Sequence, residues 1–164
     1  MRSSPCSQPM RSVTTVDADT SKFACMYDTI LVATDGSGSA NRAVTHALEQ
    51  AEEHEAELHA VYVVDTDRYS EPALSSAELM TMEVEEWGNK QLQEVKERGE
   101  QLDVDVVTRC CHGKPYKEII NYSDEVDADF IVLGYQGHSH TDTDQIGSVT
   151  DRVVQSGGRP VFVV

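Results

Sequence analysis

Two short, wholly apolar runs, Ile30-Leu31-Val32-Ala33 and Phe130-Ile131-Val132-Leu133, constrain this chain more than any other feature. A strand with one wet face alternates polar and apolar side chains. These runs do not alternate, and they break at once, at Asp35-Gly36-Ser37-Gly38-Ser39 and at Gly134, as strands covered on both faces do. Burial of both faces is what a parallel sheet crossed by helices provides. Ser39 or Asn41 can cap a helix carrying Ala43, Val44, Ala47, Leu48 and Ala51, which ends in the acidic stretch Glu52 to Glu57. A second strand follows over Leu58 to Val64, then a polar loop from Asp65-Thr66-Asp67. Leu79, Met82, Val84, Trp87, Leu92, Val95 and Leu102 recur as one long surface helix, with Trp87 packed on the sheet and Glu83, Glu85 and Glu86 in solvent. Val104, Val106 and Val107 predict a third strand, Gly113-Lys114-Pro115 a turn, and Tyr116 to Val126 a helix. Beyond Gly134 a polar loop leads to a helix from near Ser148, and Pro160-Val161-Phe162-Val163-Val164 is a last strand. The expected class is α/β, a five-stranded parallel sheet in the order 3-2-1-4-5 with helices on both faces.

With 164 residues the chain suits one domain, which needs neither disulfides nor metal for stability. Residues 1–25, rich in Ser, Thr, Pro and Asp, are expected to be a disordered tail, and residues 26–164 the folded unit; Met26 could itself be the natural start of translation. Thirteen basic against 29 acidic residues give a net charge of −16, which repels nucleic acid and anionic membranes and suits a halophile-like, high-salt setting. No run is long enough to span a bilayer and no signal peptide is visible, so a cytoplasmic protein is expected. Cys6, Cys25, Cys110 and Cys111 have no disulfide or zinc spacing, and Cys110-Cys111-His112 lacks a second cluster to complete a metal site.

Ligands of a doubly wound sheet bind outside the carboxyl ends of its strands, where the winding reverses. In the order 3-2-1-4-5, strands one and four are neighbours there, and both of their loops are rich in glycine. The second loop carries the pattern Gly134-x-x-Gly137-x9-Gly147-Ser148. Glycine lets backbone amides approach phosphate oxygens, and a helix starting at Ser148 adds its positive end, so Ser148 and Val149 are candidate phosphate donors. Asp35 is either outer-sphere to a Mg²⁺ ion or a cap for its own turn. His138 and His140 are expected to be solvated rather than ligands.

These residues resemble the universal stress proteins, in particular the ATP-binding branch. The resemblance covers residues 27 to 164 and is carried by Ile30 to Ser37, Val63-Val64-Asp65 and the glycine pattern. It implies a Rossmann-like fold of the adenine nucleotide alpha hydrolase-like kind. It implies a pocket for ATP, ADP or AMP lined by Asp35 and the backbone of Ala33 and Thr34, with the Val63 backbone reading the adenine edge. It further implies that Gly134, Gly137, Gly147, Ser148 and Val149 hold ribose and phosphates, and that the last strand forms a homodimer. Ser148 and Thr150 become candidate sites of autophosphorylation. From His138 to Ile146 the chain departs from the family's usual basic, leucine-rich stretch; Asp142 and Asp144 there predict a stronger need for Mg²⁺ or salt.

Other functions fit less well. A dinucleotide enzyme needs a third glycine where Asn41 stands, and a P-loop enzyme needs a glycine upstream of Lys114 and no proline after it. A receiver-like phospho-acceptor would surround Asp35 with further acids and a lysine. No nucleophile is paired with a base, so a binding switch with at most slow ATP hydrolysis is expected, working with an unknown protein partner. The alternative is a nucleotide-free dimeric interaction module with a vestigial glycine motif.

Overall fold

The computed structural model describes residues 27–68, 74–138, 145–156 and 158–164, without the side chains of 74–77. The expectations for the 1–25 tail, for Cys6 and Cys25, and for His140, Asp142 and Asp144 lie outside them. β1 (Thr29–Ala33) pairs in parallel with β2 (Glu57–Asp65) on one side and β4 (Phe130–Leu133) on the other. β3 (Val106–Gly113) joins β2 and β5 (Val161–Val163) joins β4, giving the expected order β3-β2-β1-β4-β5.

Alternation along each strand divides the core. Ile30, Val32, Leu58, Ala60, Tyr62, Val64, Phe130 and Val132 face α1 (Gly38–His54) and α2 (Leu74–Gln101). Leu31, Val61, Ile131 and Leu133 face α3 (Pro115–Glu125) and α4 (Ser148–Ser156). Both faces of β1 and β4 are therefore dry, which is why those strands read as unbroken apolar runs.

Several boundaries differ from expectation. Ser37, not Ser39 or Asn41, caps α1, its hydroxyl accepting the Ala40 amide at 3.1 Å. Ser39 lies inside the helix, where its hydroxyl donates to the Val164 carbonyl and accepts the Gln136 amide. β3 runs to Gly113 and excludes Val104; as an edge strand it is largely wet, so its sequence carries little apolar signal. On α2, Leu92 and Val95 are buried, but Leu79, Met82 and Trp87 are exposed, because at that level Val84 and Gly88 face the sheet, a Cβ on Gly88 coming within 2.3 Å of the Tyr62 ring. Trp87 thus does not pack into the core.

The turns entering β2, β3 and β4 share one construction. Glu55, Asp103 and Asp127 hold positive φ of 53°, 57° and 52°. The residue after each donates back to the helix it leaves: Ala56 to Ala51, Val104 to Gly99 and Ala128 to Ser123, each at 2.9 Å. This is the helix-ending motif usually closed by glycine, made here with acidic residues.

Candidate functional site

β1 stops at Ala33 while β2 continues to Asp65, and this mismatch opens a crevice. Glu57 and Val61 exchange backbone bonds with the β1 side, through Asp28 and Thr34, and parity turns Val63 the same way. The last β1–β2 pair is Ala33 with Val61, so the Val63 amide and carbonyl point past the end of β1. The chain meanwhile bends at Asp35. Its carboxylate accepts the Ser37 amide on one oxygen and the His138 amide on the other, both at 2.9 Å. Asp35 therefore caps its own turn and also ties that turn to the loop after β4.

Two glycines of the spaced pattern are set by this closeness. A Cβ on Gly137 would lie 2.6 Å from the Asp35 carboxylate, and one on Gly134 2.8 Å from the Ala40 amide of α1. Their first duty is to let the loops meet each other.

Backbone accounting then identifies the donors. The amides of Tyr135, Gln136, His138 and Gly147 are engaged within the protein, by Val164, Ser39, Asp35 and Tyr135. The first bond of α4 runs from Asp151 to Gly147, so the amides of Ser148, Val149 and Thr150 have no acceptor in the helix. They form a positive helix end facing the crevice. The Ser148 side chain is exposed there, whereas Thr150 is buried and donates its hydroxyl to the Gly134 carbonyl at 2.8 Å.

The crevice is a cavity of about 620 Å³. Ala33, Thr34, Asp35, Val63, Gly134, Gly137, Gly147, Ser148 and Val149 all line it. Arg68, Glu83, Val84 and Trp87 complete its β2 side, and Pro115 and Ile119 its floor. Sequence reasoning missed Arg68 and Trp87; the periodicity of α2 marks Trp87 as core, whereas Val84 and Gly88 meet the sheet and Trp87 is left at the cavity.

The described residues hold no group of three side chains able to bind a metal. Cys110 and Cys111 pack against opposite faces of the sheet and cannot converge on one ion. Burial pushes both thiols above their ordinary range, which favours the protonated form.

The reversal of winding between β1 and β4, with loops closing a cavity over it, defines a doubly wound α/β protein whose ligand crevice lies at the switch point. Within that class the chain belongs to the universal stress protein family, whose family model matches residues 26–164. A universal stress protein of Methanocaldococcus jannaschii is 36% identical over 140 residues, covering 85% of this chain and 82% of its own length. The solved UspA from Lactobacillus plantarum superposes with a TM-score of 0.78 at 29% identity, over 84% of this chain and 97% of that one. A universal stress protein solved in complex with cAMP gives 0.60 at 27%, over 84% and 96%. No helix among the described residues is long and apolar enough to cross a membrane.

Proposed function

We propose that this protein binds ATP at the β1–β4 crevice and acts as a nucleotide-dependent regulatory switch in stress response, with at most slow hydrolysis. The observation that carries the reading is the set of amides at Ser148, Val149 and Thr150, which have no acceptor among the described residues and open into a cavity whose volume lies within the range of small-ligand sites. The Ser148 and Val149 amides and the Ser148 hydroxyl bind phosphate oxygens. The Val63 amide and carbonyl, beyond the end of β1, offer a donor and an acceptor to the adenine edge. Asp35 fixes the spacing between the two loops and the Gly134–Gly137 turn carries the ribose.

With ATP bound, Mg²⁺ would neutralise polyphosphate charge. Asp35, Asp65 and Glu83 are carboxylates on the cavity wall, but the described residues gather no group of three able to hold an ion by themselves, so the metal rides on the nucleotide. Of the two hydroxyls considered for autophosphorylation, the exposed Ser148 suits it and the buried, hydrogen-bonded Thr150 does not.

The exposed Phe162 and Val163 on the free edge of β5 support a homodimer through this strand. Val164 cannot be removed to test this, since its carbonyl accepts the Tyr135 amide and the Ser39 hydroxyl beside the crevice. The variant Val163→Glu is the cleaner probe and is expected to sediment as a monomer.

The decisive experiment is identification of the nucleotide recovered with the purified protein, followed by calorimetry with ATP, ADP and AMP, with and without Mg²⁺, across salt. Micromolar ATP binding, tighter with Mg²⁺, is expected; no heat at millimolar nucleotide would leave the interaction-module alternative.

A further inference from the structure

Trp87 is the only tryptophan of the chain, and it occupies an uneconomical place for a core residue. It is 45% exposed, while Leu92 and Val95, further along the same helix, are 2% and 3% exposed and carry the packing of α2 on the sheet. Its position is set by Gln91. A Cβ on Gly36 would lie 2.9 Å from the Gln91 side-chain oxygen, so α2 passes directly over the β1–α1 turn at that level. Trp87 stands one turn nearer the helix N-terminus, about 6 Å further out. There it lines the cavity beside Val84 and Glu83, with Lys90 Nζ 5.9 Å from the ring centroid.

The sheet order decides which part of a nucleotide arrives at this wall. The uncommitted α4 amides lie on the β4 side of the cavity, and β1 separates β4 from β2. Two strand spacings put the β2 side about 10 Å away. A nucleotide anchored by its phosphates at α4 therefore extends its base across β1 to β2, where Val63 presents its backbone and Trp87 its ring.

We propose that Trp87 is the stacking wall for the base, a specificity-determining residue of the site that rests on the nucleotide reading above. An indole against the base rewards any purine ring and does nothing for phosphate. Its loss should separate nucleotide affinity from polyphosphate affinity.

Because the chain has one tryptophan, its fluorescence reports this contact directly. Titration with ATP should quench the emission with the same midpoint that calorimetry gives. Trp87→Ala should weaken ATP by about tenfold or more, the scale of one base–aromatic stack, and Trp87→Phe by no more than about threefold. Inorganic tripolyphosphate should bind wild type and Trp87→Ala alike. Calorimetric ATP binding with unchanged emission, or ATP affinity in Trp87→Ala equal to wild type, overturns the stacking role and leaves the nucleotide reading standing. Wild type that binds no ATP overturns both.

Discussion

At the carboxyl end of the sheet Asp35 ties the β1–α1 turn to the loop after β4, and at the amino end Asp129 ties the first residues of β1 to β4. Each carboxylate accepts two backbone amides, and each joins segments about a hundred positions apart. Their surroundings differ. Around Asp129, the turns into β2, β3 and β4 each return an amide to the helix they leave. Around Asp35 the loops satisfy one another but leave the first amides of α4 pointing into a cavity. Both ends carry a cavity, but the one at the amino end is lined by Asp28, Glu55, Glu57, Asp103 and Asp105, whereas the other presents the first amides of α4.

The sharpest way to break this contrast is Gly137→Val. The new Cβ would meet the Asp35 oxygen at 2.6 Å, so the loop carrying Gly137 and His138 must move off the β1–α1 turn. ATP affinity should fall about 100-fold or more by calorimetry, with a stability loss of about 1–3 kcal/mol from overpacking. Asp103→Gly, at the opposite end, should leave ATP affinity within about twofold. Equal damage to binding from both would mean that the two ends are not functionally distinct.

A smaller effect distinguishes the two carboxylates. Asp35 spends both oxygens, one per amide, whereas Asp129 accepts the Asp28 and Thr29 amides on a single oxygen, at 2.7 and 3.0 Å. Asparagine has one acceptor oxygen and an amino group that cannot accept. Asp35→Asn should therefore lose one bond and cost about 1–2 kcal/mol, with weakened ATP binding. Asp129→Asn can keep both bonds and should cost less than about 0.5 kcal/mol, with ATP binding intact. Equal costs in urea melts would remove the difference in geometry on which this rests.

How far these two ends were legible in the sequence follows from how locally each is determined. The strands themselves, the start of α4 near Ser148 and the glycine-rich loops after β1 and β4 follow from apolar runs and spaced glycines, because a fully buried strand and a glycine turn each carry their own signal; the strand order, on which the meeting of those loops depends, has no such local signal. The cap at Ser37 was not legible: Ser37, Ser39 and Asn41 are equivalent by type, and only the distant Val164 and Gln136 draw Ser39 into other bonds. Nor was the place of Trp87, since helical periodicity records which residues are apolar and not that a glycine, Gly88, is what meets Tyr62 of the sheet beside it. The repeated acidic turn was invisible for a further reason: Glu55, Asp103 and Asp127 stand where statistics expect glycine, and nothing local marks them as left-handed.

Those three turns yield a gain rather than a loss. A non-glycine residue at positive φ costs about 1 kcal/mol, and an acidic one at a helix C-terminus is also opposed by the helix dipole. Glu55→Gly and Asp103→Gly should each raise stability by about 0.5–1 kcal/mol without touching ATP affinity. Asp127→Gly should gain less, because Asp127 also takes Arg159 at 3.0 Å. A rise in melting temperature for the first two and a smaller one for the third is the expected ranking; a loss at all three would show that the carboxylates stabilise the amino end in their own right.

The smallest expected effect lies in alkali and belongs to β3, whose Cys110 and Cys111 pair with Tyr62 and Val63 beside the crevice. Burial raises both thiols above their ordinary 9.0, and burial likewise raises the Tyr122 phenol, which holds His59 at 2.8 Å, above its ordinary 10.0. Between the ordinary and the raised value the unfolded chain has released a proton that the native chain still holds. The native state then binds more protons, so stability is fully present below about pH 9 and falls as pH rises beyond it. Wild type should lose a few degrees of melting temperature between pH 8 and pH 10. The double variant Cys110→Ala/Cys111→Ala should start from a lower melting temperature and lose less over the same interval. An unchanged slope in the double variant would assign the alkaline sensitivity to other groups and leave the carboxyl end no more titratable than its opposite.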